Sequence, residues 1–191
     1  MRVEVLLKGE GLTDRKNRFD ASVTPHLSAA YNLARWLLKN DVDAQDVVQE
    51  SFLRAFRFFD GLKGDDARPW LLGIVRNTAF TWLREQGKYA DHVEFDDDRD
   101  SDASDPAFVA GSNNPEQLLL RKIDAQRLNN AIENLPAIYR EVIVLREMED
   151  MSYEQIAAIV AIPPGTVMSR LSRARVLLRK VLTETDKEPT S

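Results

Sequence analysis

One stretch constrains this chain more than any other: Ser152 to Lys180, SYEQIAAIVAIPPGTVMSRLSRARVLLRK. It spells helix, tight turn, helix. Ser152 suits an N-cap, and Gln155 three residues on completes a capping box. Ile156, Ala157 and Ile159 give the first helix an apolar side. Ala161 to Pro164 breaks the pattern, since Pro163 and Pro164 cannot continue a helix but can open one. A second helix is expected from Thr166 past Lys180. On a helical wheel its core stripe is Val167, Leu171, Ala174, Leu178 and Val181. Ser169, Ser172, Arg173 and Val176 face the opposite way, with Met168, Arg179 and Lys180 at the margins. No Asp or Glu occurs from Ile156 through Lys180, whereas five Arg or Lys do. The whole chain is acidic, with a net charge of −5, so this local basicity needs a cause. A short helix followed by a basic, outward-facing one is the helix-turn-helix arrangement that enters the DNA major groove. The plain alternative is a helical hairpin with a solvated basic face.

The remaining chain reads as helix throughout, with no convincing strand and no repeat. Residues 1–18, with Gly9 and Gly11, read as a flexible leader. Leu27, Ala30, Tyr31, Ala34, Leu37 and Leu38 recur at spacings of three and four. His26, after Pro25, is a surface or capping residue, with no second His or Cys near it. Asp43 opens a helix whose stripe is Val47, Val48, Ser51, Phe52, Ala55, Phe56 and Phe59. Its outward side holds Asp46, Gln49, Glu50 and Leu53. From these residues alone two readings stand. The acids serve the positive helix N-terminus while Glu50 pairs with Arg54, or they form an acidic docking face around an exposed Leu53.

Asp65 or Asp66 caps the next helix, and Pro69 fits its first turn. Leu71, Ile74, Val75, Thr78 and Trp82 are its expected core. Arg76, Asn77, Phe80 and Arg84 project away, a surface suited to stacking bases and holding the phosphates of a single strand. Asp91 to Asp105 carries eight acids against one Arg, with Ser, Gly, Asn and Pro following. Residues 89–114 are therefore expected to form a flexible acidic linker. As a calcium loop this segment fails at Ser101, where Gly is needed, and at Ala107, where Glu is needed. Beyond it, Leu118, Leu119, Ile123, Ala125 and Leu128 mark a long helix from Pro115. Ile138, Val142, Ile143, Leu145 and Met148 mark another after Leu135-Pro136. The tail from 185 to 191 is polar.

Composition narrows the function classes. Cysteine is absent and only His26 and His92 could supply imidazole, so disulfides, thiolate metal sites and histidine catalysis are excluded or poorly supplied. No signal-peptide run or membrane-length apolar stretch occurs. Neither a catalytic residue, a cofactor nor a metal ligand is indicated.

These segments together resemble the extracytoplasmic-function sigma factors of bacterial RNA polymerase, over about Phe19 to Leu182. DAQDVVQESFLRAFRFFDGL is similar to the family's helix on the polymerase clamp. ARPWLLGIVRNTAFTWLR is similar to the segment that opens and reads the −10 element. LPAIYREVIVLREMEDMSYEQIAAIVAIPPGTVMSRLSRAR is similar to the region that binds the polymerase flap and reads the −35 element. The resemblance implies an all-α fold: leader 1–18, a first domain at 19–88, linker 89–114, a second domain with the helix-turn-helix at 115–184, and a tail. It implies a cytoplasmic protein that is not an enzyme, takes no small-molecule substrate, and directs core RNA polymerase to promoter DNA. It also implies restraint by an anti-sigma factor, often membrane-bound.

Residue by residue, the resemblance places Asp46, Gln49, Glu50 and Leu53 on the clamp, tipping the open choice above toward docking. Trp70 and Asn77 match positions for −10 recognition, with Arg76, Phe80 and Arg84 joining them by their expected outward face. Ser169, Ser172 and Arg173 match positions facing the −35 bases. Thr166 and Met168 lie on the same helix start, and Arg170 and Arg175 lie at the flanks where phosphates run. Met168 stands where a basic residue is frequent, and Ser172 where an aromatic is. The linker matches a connector that threads the polymerase's RNA path, where its acids mimic RNA phosphates. A stand-alone dimeric helix-turn-helix regulator would leave the Arg76–Asn77–Phe80 face unexplained. An enzyme built on the Asp-rich segment would lack a fixed scaffold.

Overall fold

The computed structural model describes residues 2–64, 66–87 and 115–185; of residues 2–12, 115–124 and 184–185 only the backbone is described. The expected linker at 89–114 and the tail from 186 lie outside the described residues, and so does the reading of the linker as an acidic plug. Described residues are helical or in turns and contain no strand. The chain divides into two compact units, residues 1–90 with 154–161 and residues 91–153 with 162–191.

In the first unit the helices are α1 (Arg2–Val23), α2 (Leu27–Leu38), α3 (Asp41–Phe58) and α4 (Ala67–Glu85). Helices α2, α3 and α4 pack on one another in pairs. Their shared core includes Ala30, Leu33, Ala34, Leu37, Ala44, Val47, Ala55, Leu71, Leu72, Val75 and Ala79. Each turn is closed by a specific device. Lys39 takes the left-handed conformation that ends α2, and Asn40 then caps α3, its Oδ1 accepting from the Val42 and Asp43 amides at 2.8 and 3.1 Å. Helix α3 thus begins two residues before the expected Asp43. The Asp66 carboxylate caps α4 by accepting from the Arg68 amide at 3.1 Å.

The leader expected at 1–18 is helical from Arg2. What makes it part of the fold lies across the chain. The Phe19 ring meets Phe52, Phe56 and Phe59 edge-on at 6.2, 5.2 and 5.3 Å. Arg15 donates to the Phe56 carbonyl at 2.6 Å, lies over the Phe56 ring at 4.7 Å and pairs with Asp60 at 3.1 Å. A guanidinium capping the carbonyls at the end of α3 meets the negative pole of that helix, which stabilises it. Nothing local to residues 1–18 signals this, because the partners of Arg15 are about forty residues away.

The second unit contains α5 (Pro115–Asn134), α6 (Ala137–Ile143), a π-helical turn at Val144–Met148 that prolongs α6, and α8 (Pro164–Thr185). Helix α7 (Tyr153–Val160) precedes the turn into α8. Helix α8 packs against α6 and α5. Val142, Ile143, Val144, Leu145, Val167, Leu171 and Ala174 are buried. Arg140 is buried too, and its Nη2 donates to the Leu135 carbonyl at 2.8 Å. Burial lowers its guanidinium to about 10, so it keeps its charge at neutral pH.

Candidate nucleic-acid interface

Helix α8 starts where the sequence breaks. Ala161 ends α7 in the left-handed conformation, φ 59°, and the Pro163 carbonyl accepts from the Thr166 and Val167 amides at 2.9 and 3.2 Å. The helix therefore begins at Pro164, two residues before the expected Thr166. Val167, Leu171 and Ala174 are buried as expected, while Leu178 is half-buried and Val181 exposed. On the opposite side Met168, Ser169, Val176, Arg179 and Lys180 are exposed; Thr166, Ser172 and Arg173 are half-buried. Ser169 returns its hydroxyl to the Thr166 carbonyl at 3.0 Å.

The flanking arginines are placed differently from the expectation. Arg170 does not lie at an open edge: its side chain is 11% exposed and its Nη1 meets Oε1 of Glu141, itself fully buried, at 3.2 Å. The physical reason is angular. Arg170 lies only about 60° from Val167 on the wheel, inside the arc that faces α6. A cation there needs an acid, and Glu141 on α6 supplies it. Arg175 pairs with Glu147 at 2.9 Å, with both side chains partly exposed. The sequence held no signal for either partner, since each lies 28 or 29 residues upstream.

Helix α4 also corrects the expectation. Phe80 is buried, at 7% exposure, and carries the Arg76 guanidinium over its ring at 4.5 Å. It is not an outward stacking surface. Helix α4 is covered by α2, by α3 and in part by α1, so its apolar arc is wider than one stripe. Leu72, Ala79 and Leu83 join Leu71, Val75 and Thr78 in it. The arc is centred about 60° from the expected line, and Phe80 falls at its margin. Ile74 and Trp82, expected in the core, are half-buried. The true outward stripe runs Trp70, Gly73, Asn77, Thr81 and Arg84, at the three- and four-residue spacing of one helix face. Asn77 and Arg84 are exposed on it, and Trp70 is half-buried. A Cβ built on Gly73 meets nothing within 4 Å, so a step without a side chain lies between Trp70 and Asn77. Gly73 and Thr81 lie on this stripe although neither was expected there.

Helix α3 presents Asp46, Gln49, Glu50 and Leu53 outward, as read from the sequence; Leu53 is 67% exposed. Val42, 66% exposed, extends that face by one turn and was not foreseen. Glu50 also bonds Arg54 at 2.7 Å, so this acid supports its own helix while lying on the exposed face.

Comparison with known proteins agrees with both halves. Residues 23–89 match the model of sigma-70 region 2, and residues 125–178 match that of sigma-70 region 4. The ECF RNA polymerase sigma-E factor of Salmonella typhimurium is 41% identical over 134 residues, 70% of each chain. The RNA polymerase sigma-H factor of Pseudomonas aeruginosa is 34% identical over 174 residues, 87% of each. Among solved structures, the sigma factor RpoE of Bartonella quintana, crystallised with the anti-sigma factor NepR, superposes with a TM-score of 0.64 at 29% identity, covering 87% of this chain and 97% of that one. This chain belongs to the extracytoplasmic-function branch of the sigma-70 family.

Proposed function

We propose that the chain joins core RNA polymerase through the acidic face of α3, reads the −35 element with α8 and holds the opened −10 strand with the outward stripe of α4. The observation that carries this is a separation of charge. Asp46 and Glu50 lead up to exposed Leu53 on one face of α3, whereas α8 carries only cations over its described face, in a chain of net −5. Such complementarity steers and orients docking on a basic protein surface and on DNA respectively. The protein supplies promoter specificity and performs no chemistry of its own. Among the described residues no helix is long and apolar enough to cross a membrane, and the proposed place of action is the cytoplasm, beside polymerase. An anti-sigma factor, as in the NepR complex of the Bartonella relative, is the proposed restraint. The purified chain should co-elute with core polymerase and start transcripts at defined positions. Free elution with no defined start overturns the reading.

Asn77 is the residue of α4 best placed for the −10 strand. It is exposed, one turn beyond the gap left by Gly73 and two turns from Trp70. An amide can donate to and accept from a base edge at once. Asn77→Ala should slow promoter opening by about an order of magnitude. The readout is permanganate reactivity of unpaired thymines, with polymerase binding unchanged. A variant that only melts at lower temperature would make Asn77 structural.

A further inference from the structure

We propose that the buried Glu141–Arg170 pair sets the seating of α8, making Arg170 a positioning residue rather than a phosphate contact. The proposal rests on the reading of α8 as the −35 helix. Glu141 is fully buried on α6 and Arg170 nearly so on α8, with Nη1 and Oε1 3.2 Å apart. Two charges withdrawn from water hold together only in good geometry, because an uncompensated partner is strongly destabilising. Arginine presents its donors in a rigid planar fork, so the bond tolerates little rotation or sliding of α8 against α6. Ser169 precedes Arg170, and Ser172 and Arg173 follow within one turn. A small rotation of α8 therefore displaces every group expected to face the bases, and hydrogen bonds to base edges weaken steeply with misalignment. The Arg175–Glu147 pair ties the next turn of the helix to the π-helical turn. Being partly exposed, it holds less firmly.

The two members of the pair have opposite charge, and this gives a decisive sign. If Arg170 acted on DNA through its charge, removing it would weaken binding, whereas removing the Glu141 charge would strengthen binding or leave it unchanged. As a positioning device, loss of either member weakens binding.

The test uses full-length chain in polymerase holoenzyme, on duplexes bearing the −35 element mapped upstream of its own start sites, over a range of salt. Glu141→Gln and Arg170→Ala should each lower affinity about tenfold, and the double variant no further than the worse single, because they break one interaction. The slope of log affinity against log salt should stay that of the wild type. A slope smaller by about 0.9, the value of one phosphate contact, for Arg170→Ala, or tighter binding by Glu141→Gln, overturns the proposal. Glu141→Leu with Arg170→Met refills the site with apolar volume, a replacement that typically preserves stability. This double variant should melt like the wild type yet discriminate poorly between cognate and mutated −35 elements. Wild-type discrimination by it would mean the pair serves stability alone, and would also overturn the proposal. A wild-type holoenzyme indifferent to the −35 sequence would instead sink the assignment of α8, and the proposal with it.

Discussion

Reversing both acids of the α3 face, Asp46→Lys together with Glu50→Lys, should weaken binding to core polymerase by about a hundredfold, or ~2.7 kcal/mol. Both side chains are exposed, and Leu53 stands exposed between them and the next turn. Facing a basic docking surface, each reversal turns an attraction into a like-charge contact, and such contacts cost several kcal/mol in an interface. The same changes do little to the helix itself. Asp46 and Glu50 are like charges four residues apart, and so are the two lysines that replace them. The Glu50–Arg54 bond at 2.7 Å is lost, but an exposed pair of this kind contributes only about 0.3–0.5 kcal/mol. Helix content by circular dichroism should therefore hold while affinity collapses, and the loss should shrink as salt rises, because screening weakens exposed charges. Core binding at wild-type strength would refute the docking role and leave the acids to serve only their own helix.

The contrast between α3 and α4 shows what the sequence could and could not disclose. On α3 the wheel placed Val47, Val48, Ser51 and Ala55 inward and Asp46, Gln49, Glu50 and Leu53 outward, and the structure agrees. That helix has a wide outward side, so a 3.6-residue period locates it. Helix α4 is packed from more than one side. Its period still marks Leu71, Val75 and Thr78 as inward, but the centre of a broad apolar arc is not fixed by spacing. Phe80 was read as outward for that reason, and Asn77 and Arg84 survived because they lie farther from the arc's edge. Gly73 shares that outward spacing, but a residue without a side chain gave no reason to name it.

Charge placement was the second limit. The basic, acid-free run of α8 is plain in the sequence, yet which cation faces solvent depends on acids elsewhere. Glu141 and Glu147 each claim an arginine of α8, and nothing local to α8 announces them. Arg15 escaped notice similarly: its worth lies in the Phe56 carbonyl and Asp60, far along the chain. Local pattern reveals which residues turn inward; pairs between distant elements decide what the charged ones do.

Arg173→Ala should abolish much of the selectivity for the −35 element while costing far less affinity for a mutated one. Arg173 lies about 120° from Val167 around α8, on the side shared by exposed Ser169 and half-buried Ser172. An arginine in the major groove can donate two hydrogen bonds to guanine, worth about 1–3 kcal/mol of discrimination. A cation on a phosphate adds affinity without sequence preference, through counterion release. With Arg170 committed to Glu141, exposed Arg179 is the better comparison for that second role. Titrating holoenzyme on cognate and mutated −35 duplexes at several salt concentrations separates the two. Arg173→Ala should bring the two affinities together, by about five- to a hundredfold on the cognate side. Arg179→Ala should lower both alike and reduce the salt slope by about 0.9. If Arg173→Ala weakens both duplexes equally, the reading face of α8 lies elsewhere on the helix, and exposed Met168 with Ser169 becomes the place to look.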